Sequence, residues 1–250
     1  MDERGIPEFG PGDVSAVVCS LNSISGIERC LRSLRDSGVG ELIVVDADST
    51  DGTRQVAETL ADRVLTDPAL GLGMARNIGI AQTSKPFILN MGSDNVLPTG
   101  ELQKMINALT RKSLENSESK LYGVSAQTVI EGAGYLSLGL NAWRSGRFSE
   151  GPAAVMGTPT LFRGDTLREN PYDPTRRFSD DCELCERWSR DFGATFAISE
   201  AVVHEIGKTT WDEILIRCRM YGISDAEIYQ QGAQSGWTLQ RKVKSALHPL

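Results

Sequence analysis

The sequence has no apolar run that approaches the roughly 20 residues of a membrane-spanning helix. It also lacks an excess of basic residues, because 26 Lys and Arg stand against 33 Asp and Glu, a net charge of −7. Nucleic-acid binding needs positive charge for the phosphates, so this balance argues against a nucleic-acid partner. The five cysteines are scattered and odd in number, which indicates reduced thiols and a cytoplasmic location.

What is present is ordinary for a globular protein: 40% hydrophobic and 24% charged residues in 250 positions. That length suits one large α/β domain or two small ones. Residues 1–12 are acidic and rich in Gly and Pro, and we expect a flexible arm there rather than a signal or transit peptide.

One stretch organises the first half of the chain, Glu41 to Thr53. Its four apolar residues from Leu42 to Val45 predict a buried parallel strand, and the polar residues after Asp46 predict a turn into a helix. A similar strand and helix precede it at Val14 to Asp36, so the pattern is typical of a parallel sheet with right-handed crossovers. Asp46 then lies at the strand end, where such sheets bind ligands. An ordinary turn with solvated acids is the alternative.

Two further stretches place polar groups near that edge. The glycines of Gly71 to Ala81 lack the dinucleotide-binding spacing, since residue 76 is Arg, and Arg76 near a helix start is able to meet a phosphate. An Arg on the surface of an amphipathic helix is the alternative. Phe87 to Met91 predicts another buried strand, which puts Asp94 just past its end.

The second half is less regular. Glu131 to Gly151 is rich in Gly and has no assigned structure, although a substrate-facing excursion fits its composition. The remaining expected elements are a strand at Tyr122 to Ile130, an interrupted strand at Ala153 to Phe162, a helix from Ser179 to Arg190, short strands at Thr195 to Ile198 and Val202 to His204, and a helix from Trp211 to Gln231.

Five segments, in this order and spacing, resemble the family 2 glycosyltransferases: VSAVVCSLN, ELIVVDADSTDGT, GLGMARNIGI, FILNMGSDN and FSDDCELCERW. The resemblance implies an α/β GT-A fold, a Rossmann-like single domain whose mostly parallel central sheet is flanked by helices. It implies a domain over 13–207, with a nucleotide-binding half (13–111) and an acceptor half (112–207). A helical extension over 208–250 follows.

The resemblance also implies an activity, the transfer of a sugar from a nucleotide-diphosphate sugar to an acceptor hydroxyl, with inversion. The acceptor would be a carbohydrate or a lipid-linked molecule. The nucleotide-sugar site implied for this chain consists of Ser20, Leu21, Asn22, Asp46, Asp48, Arg76, Ser93 and Asp94.

A divalent metal, Mn²⁺ or Mg²⁺, is the implied cofactor. Family members usually carry Asp-x-Asp where this chain has Gly92, Ser93 and Asp94, so the first acid is missing. Asp94 is the expected metal ligand, and His204 is a candidate second ligand, with a structural histidine as the alternative.

The implied general base is Asp181, with Asp180 as the alternative. Both acids also suit the positive end of a helix, whatever their chemistry. Two other functions stay open. One is a non-catalytic nucleotide-sugar-binding protein, motivated by the missing acid, and the other is a nucleotidyltransferase. The basic residues Arg241, Lys242, Lys244 and His248 suggest either a solvated tail or a peripheral membrane contact, and the solvated tail is favoured.

Overall fold

The computed structural model describes residues 9–115, 121–176, 179–207 and 210–234, together with residues 239 and 243. Within them, nine strands form one sheet, and eight α-helices accompany it. The strands are β1 (Val14–Ser20), β2 (Glu41–Asp46), β3 (Arg63–Thr66), β4 (Phe87–Gly92), β5 (Asn95–Val96), β6 (Leu121–Ile130), β7 (Gly151–Ala153), β8 (Thr160–Arg163) and β9 (Thr195–Glu205). The helices are α1 (Ile27–Asp36), α2 (Thr53–Leu60), α3 (Leu72–Ile80), α4 (Glu101–Glu115), α5 (Tyr135–Arg147), α6 (Gly164–Glu169), α7 (Asp180–Phe192) and α8 (Trp211–Gln234).

Alternate residues of the central strands enter two separate cores, one on each face of the sheet. Leu42 and Val44 of β2 join the core that contains α1 and α4, and Ile43 and Val45 join the core that contains α3, α6 and α7. All four are fully buried. A strand buried on both faces must be apolar at every position, which is why it reads as a continuous hydrophobic run.

The sheet confirms the predicted mostly parallel α/β architecture. Its order is β3-β2-β1-β4-β8-β6-β9-β5, with β7 paired to β9. The first four strands are mutually parallel. β8 runs antiparallel between β4 and β6, so β6 and the parallel β9 point the same way as β1. Six of the nine strands therefore share one direction, and β5, β7 and β8 oppose them.

The second half departs from the sequence prediction in three places. The interrupted strand at 153–162 is two separate strands, β7 and β8, with a cis peptide bond between Thr158 and Pro159 in the segment that joins them. The two short strands predicted at 195–204 are one strand, β9, whose pairing with β6 shifts register between Ser125 and Gln127. The unassigned stretch contains α5, which is tied to β6 because Asn141 bonds both the N–H and the carbonyl of Ile130.

The two ends of the chain are described in part. Phe9 packs edge-on against Phe87, with ring centroids 5.0 Å apart, and a 3-10 helix follows at Pro11–Asp13, so residues 9–12 join the folded body. The rest of the predicted arm and the four basic tail residues lie outside the described residues. None of the helices in the described ranges combines the length and apolar character needed to cross a membrane.

Candidate active site

Several of the predicted site residues meet at the carboxyl edge of the parallel strands. Ser20 ends β1 and Asp46 ends β2, and the two are register partners. On the other side of β1, Cys19 pairs with Gly92, the last residue of β4. Ser20, Asp46 and the segment after Gly92 therefore lie side by side at the edge where open α/β sheets bind ligands.

Asp46 is held by its own neighbours. Its Oδ1 accepts hydrogen bonds from Ser20 Oγ at 2.9 Å and Ser49 Oγ at 2.6 Å, and its Oδ2 accepts one from the Ser49 N–H at 2.9 Å. The residue is fully buried. The carboxylate thus shapes the turn after β2, and a direct bond to a nucleoside, which stays a prediction, would require one of these bonds to be exchanged.

The turns after β1 and β2 are bonded to each other. The Asn22 N–H donates to Ser49 Oγ at 2.9 Å, and the Thr50 N–H donates to Asn22 Oδ1 at 3.0 Å. Asn22 and Asp48 both have positive φ, at 46° and 58°, a conformation that Asn and Asp tolerate better than most residues. Leu21 and Asp48 remain exposed, so the joined turns form a fixed platform with accessible side chains.

The family resemblance places the first Asp of Asp-x-Asp at Gly92, where two neighbouring side chains lie close. A β-carbon there would lie 2.7 Å from Asp94 Oδ1 and 2.9 Å from Asn95 Oδ1, closer than real β-carbons come. Asn95 Oδ1 also accepts the Gly92 N–H at 3.1 Å. The side chains of Asp94 and Asn95 therefore fill the space that an aspartate at 92 would need.

Asp94 and His204 are brought near each other by the pairing of β5 with β9. Val96 is the register partner of His204, and the Ile206 N–H donates to the Asp94 carbonyl at 2.7 Å. In an antiparallel ladder this makes Asp94 and His204 diagonal neighbours, a spacing of about 7–8 Å that longer side chains can bridge. Both are half-buried. The described residues contain no group of three or more His, Cys, Asp or Glu arranged to hold a metal. A cation here would have these two protein donors and would need further oxygen ligands.

A second cluster forms where α3 meets the start of α7. Arg76 Nη1 donates to Asp180 Oδ2 at 2.7 Å and to Asp181 Oδ1 at 2.5 Å. Its Nη2 donates to Thr158 Oγ1 at 2.7 Å, and that hydroxyl in turn lies 3.2 Å from Asp181 Oδ2. The Arg76 and Asp180 side chains are 7% and 2% exposed, but Asp181 is 15% exposed. Asp181 is therefore the more accessible carboxylate of the two.

Burial and charge oppose each other in this cluster. Burial works against the charge of Arg76, but Asp180 and Asp181 outweigh it and raise the pKa of the guanidinium well above its ordinary value. Burial raises the pKa of Asp180 to about 6; the charge of Arg76 opposes this rise and that of Asp181 adds to it. Arg76 is thus a fixed cation between one buried acid and one accessible acid.

The cluster is close to the same sheet edge. Burial raises the pKa of Cys19, one residue before the end of β1, to about 12, and the charges of Arg76 and Asp180 both act on this thiol. Tyr172, whose hydroxyl lies 3.2 Å from Asp181 Oδ1, accepts a hydrogen bond from Asn90 of β4 at 3.0 Å. Asn90 stands two residues before the end of β4.

Sequence reasoning identified Asp180, Asp181 and Arg76 but missed two of their partners, Thr158 and Tyr172, and also Asn90, which bonds Tyr172. Thr158 lies in the stretch predicted as an interrupted strand, and no role was predicted for Tyr172. Asn90 carried a detectable signal, since it is a polar residue inside the otherwise apolar run of β4. Arg76 was expected to meet a phosphate, whereas its described contacts are with the two aspartates, Thr158 and the Tyr172 ring.

Comparison with known protein families finds a match in the first half of the chain. Residues 15–127 match the model of glycosyl transferase family 2. These residues belong to glycosyltransferase family 2. The matched segment includes the two bonded turns, Arg76 and Asp94, and it ends before Asp180 and Asp181.

Curated relatives of this family 2 segment match only part of their own length. Glycosyltransferase AglJ of Haloferax volcanii is 28% identical over 101 residues, 40% of this chain and 33% of that protein. The lipopolysaccharide core biosynthesis glycosyltransferase LpsC of Rhizobium meliloti is 26% identical over 128 residues, 49% of this chain and 45% of that protein. The chain thus spans between a third and a half of these relatives.

Solved structures confirm the GT-A fold over a larger part of the chain. TarS of S. aureus matches with a TM-score of 0.61 at 14% identity, over 93% of this chain and 42% of that one. Glucosyl-3-phosphoglycerate synthase of Mycobacterium tuberculosis, solved with Mn²⁺ and UDP-glucose, matches with a TM-score of 0.57 at 19% identity, over 84% of this chain and 80% of that one. The predicted fold family is therefore correct for both halves of the sheet.

Proposed function

We propose that the protein transfers a sugar from a nucleotide-diphosphate sugar to an acceptor hydroxyl, with inversion of the anomeric configuration. The observation that carries the proposal is the Arg76 cluster, which sets one accessible carboxylate, Asp181, beside the ligand-binding edge of a family 2 sheet. A positioned carboxylate is what an attacking hydroxyl needs as a proton acceptor.

The donor nucleoside would lie on the two bonded turns. Ser20, Leu21, Asn22, Asp46 and Asp48 were predicted from the sequence to form this part of the site. The cross-links between Asn22, Ser49 and Thr50 support the prediction, because they hold the turns before any ligand arrives. Asp46 contributes by fixing the turn through Ser20 and Ser49.

A divalent cation, Mn²⁺ or Mg²⁺, would be held by Asp94 and His204, together with phosphate oxygens of the donor. Bound there, it would stabilise the charge that develops on the leaving diphosphate. One or two protein donors combined with phosphate oxygens are a common way for enzymes to bind Mg²⁺. Ser93, which shares a hydrogen bond of 2.8 Å with Ser23, would line the same donor site.

The proposed chemical step moves one proton to Asp181 and one electron pair to the leaving nucleoside diphosphate. The acceptor hydroxyl gives its proton to Asp181 while its oxygen bonds to the anomeric carbon. The bond from that carbon to the phosphate oxygen breaks, and its electrons leave with the nucleoside diphosphate. A single direct displacement of this kind inverts the configuration.

Arg76 would act on the acids as well as on the donor. Its contacts with Asp180 and Asp181 orient both carboxylates. The contact with a donor phosphate stays a prediction, and it requires the guanidinium to share its donors with the two acids.

The proposed acceptor is a carbohydrate or a lipid-linked molecule, because the similar protein LpsC is a lipopolysaccharide core biosynthesis glycosyltransferase. A cytoplasmic site of action rests on cysteine usage alone, and contact of the basic tail with a membrane rests on sequence alone.

The test is a screen of UDP-, GDP- and dTDP-sugars with Mn²⁺ or Mg²⁺, with thermal stability read first and donor hydrolysis second. A donor that binds raises the melting temperature, and a transferase also cleaves it slowly with water as the acceptor. Gly92 in place of an acid favours a second candidate, a protein that binds nucleotide sugars without catalysis. Donor binding without cleavage, in wild type and Asp181→Asn alike, would support that candidate and refute the transferase.

A further inference from the structure

Tyr172 is a buried residue that touches the proposed base from behind. It is 1% exposed and lies in the segment between α6 and α7. Its hydroxyl is 3.2 Å from Asp181 Oδ1, and the Arg76 guanidinium carbon stands 5.0 Å from the centre of its ring. The ring thus contacts both the acid and the cation of the Arg76 cluster.

The position of Tyr172 is fixed by its backbone and by its ring. Asn77 of α3 accepts the Tyr172 N–H at 3.0 Å and donates to the Tyr172 carbonyl at 2.8 Å. Phe162 of β8 packs edge-on against the ring, with centroids 6.4 Å apart. A side chain held at both ends loses little further entropy when it holds another group in place.

The hydrogen bonds of Tyr172 have only one workable direction. An ionised Asp181 can only accept, so the single hydroxyl proton of Tyr172 must point to it. The tyrosine oxygen then needs a donor on its other side, and Asn90 Nδ2 supplies one at 3.0 Å. Asn90 Oδ1 has no hydrogen-bond partner within the described residues. The bond from Nδ2 to Tyr172 is therefore the side-chain hydrogen bond that the described structure gives this amide.

We propose that Tyr172 and Asn90 are positioning residues for the general base: the chain of hydrogen bonds from Asn90 Nδ2–H to Tyr172 Oη–H to Asp181 Oδ1 holds the carboxylate in one orientation. The inference rests on the proposed function, because it assigns a partner to the base named there. It extends the site to two residues that carried no predicted role.

The groups around Asp181 leave Tyr172 as a proton donor. Arg76 of α3 contacts Asp181, and Asp180 and Cys185 lie on the same helix as Asp181, α7. Cys19 of β1 lies on the far side of Arg76. Burial, followed by the charge of Asp181, raises the pKa of Tyr172 well above its ordinary value. The hydroxyl therefore keeps its proton across the working pH range, and the base stays on Asp181.

The main test is Tyr172→Phe, which removes the hydroxyl and keeps the ring. Tyr122→Phe is the matched control, because Tyr122 is likewise packed edge-on against another aromatic ring, that of Trp188, but lies on β6. UDP-glucose and UDP-GlcNAc, each with Mn²⁺, serve as donors. We expect kcat to fall about tenfold in Tyr172→Phe, the effect of losing one hydrogen bond to a charged group, with donor Kd changed less than about twofold.

A merely structural role would not move the pH profile. The Tyr172 hydroxyl donates to a carboxylate, so its removal in Tyr172→Phe should move the acid limb of kcat against pH to higher pH. The same limb should not move in Tyr122→Phe. An unchanged limb and kcat in Tyr172→Phe, or equal losses in both variants, would overturn the proposal.

Asn90→Leu tests the direction of the chain. Since Asn90 acts on the base only through Tyr172, this change should slow transfer about threefold in wild type and leave the rate of Tyr172→Phe as it is. The Asn90→Leu and Tyr172→Phe double variant replaces both partners with apolar groups of similar shape, so it should remain folded. A further loss of rate in the double variant would refute the relay.

Unfolding in urea separates failure of the relay from failure of the proposed function. The stability loss caused by Tyr172→Phe should be smaller when Asp181 is already Asn, whatever the protein catalyses. Equal losses in both backgrounds would refute the contact. The other outcome combines a smaller stability loss with an Asp181→Asn protein that transfers sugar at the wild-type rate. That result would confirm the contact between Tyr172 and Asp181. It would reject Asp181 as the base, and the proposed positioning role would be rejected with it.

Discussion

Replacing Asp181 with Asn removes a proton acceptor and keeps nearly the same shape. With the amide oxygen in the place of Oδ1, it can still accept from Tyr172, and the amide nitrogen in the place of Oδ2 can donate to the Thr158 hydroxyl; both contacts are 3.2 Å in the carboxylate. What is lost is the capacity to take the proton of an attacking hydroxyl. A positioned base is worth roughly 10²–10⁴-fold in rate, so we expect kcat to fall by about that factor while donor affinity stays within a few-fold.

Asp180→Asn is the matched control, because it removes the same charge one residue away and breaks the other ion pair of the same arginine, at 2.7 Å. Asp180 is 2% exposed, against 15% for Asp181, so an acceptor molecule has far less access to it. We expect about a tenfold loss of rate at most, through a less well-held Arg76. Its pKa is raised to about 6, mainly by burial, and it is this burial that separates Asp180 from an acceptor hydroxyl.

The assay is donor hydrolysis and sugar transfer with UDP-glucose and UDP-GlcNAc, together with donor Kd, for wild type and both variants. If Asp180→Asn is the more damaged variant, the two roles are exchanged. If neither variant slows transfer by tenfold, α7 does not carry the base, and inversion by direct attack loses its support in this chain.

Three further predictions concern the edge of the sheet and the titration of the cluster. Asp94→Ala should abolish the effect of Mn²⁺ on donor affinity, with a smaller effect for His204→Ala, and an unchanged Mn²⁺ dependence measured by calorimetry would exclude Asp94 as a ligand. Gly92→Asp should weaken metal-dependent donor binding rather than restore a lost ligand, because its β-carbon would lie 2.7 Å from Asp94 Oδ1. Gly92→Ala is the control, since it adds the same β-carbon and should weaken binding comparably. Tighter Mn²⁺ binding in Gly92→Asp would contradict this reasoning. Asp180 has a folded pKa of about 6 against an ordinary value of 3.8, so its contribution to stability is present below pH 3.8 and is lost as pH rises through 6. Asp180→Asn should therefore gain stability relative to wild type between about pH 4 and pH 6, and urea unfolding at several pH values with an unchanged difference would refute the burial of this acid.

The strands and helices of the first half could be predicted from the sequence because each central strand is buried on both faces. Every residue from Leu42 to Val45 is apolar for that reason, and the helices between such strands show one apolar face. The second half was harder to predict. Gly139 and Gly146 obscured α5, and the polar pair Ser199 and Glu200 divided a strand that β9 in fact continues through a shift in register.

The three charged residues of the Arg76 cluster were predicted from the sequence, but their contacts with one another were not. Asp180 and Asp181 were found from a motif, but their ion pairs with Arg76 join residues 104 and 105 positions apart. No local pattern encodes that separation, since it depends on how α3 and α7 pack against the sheet. The segment before α7 also approaches α3 closely, at Gly73, where a β-carbon would lie 2.3 Å from the Asp173 carbonyl oxygen.

Burial explains why two neighbouring aspartates are able to take different roles. With Arg76 charged and both acids ionised, the cluster carries one net negative charge in a largely buried site, and such charge is costly. The cost falls on the deeper acid, Asp180, whose raised pKa reduces its charge near neutral pH. Asp181 keeps its more exposed position and three donors, Arg76, Thr158 and Tyr172. The three donors are thus gathered on the more exposed of the two acids, and this difference in environment is the reason to propose Asp181 rather than Asp180 as the base.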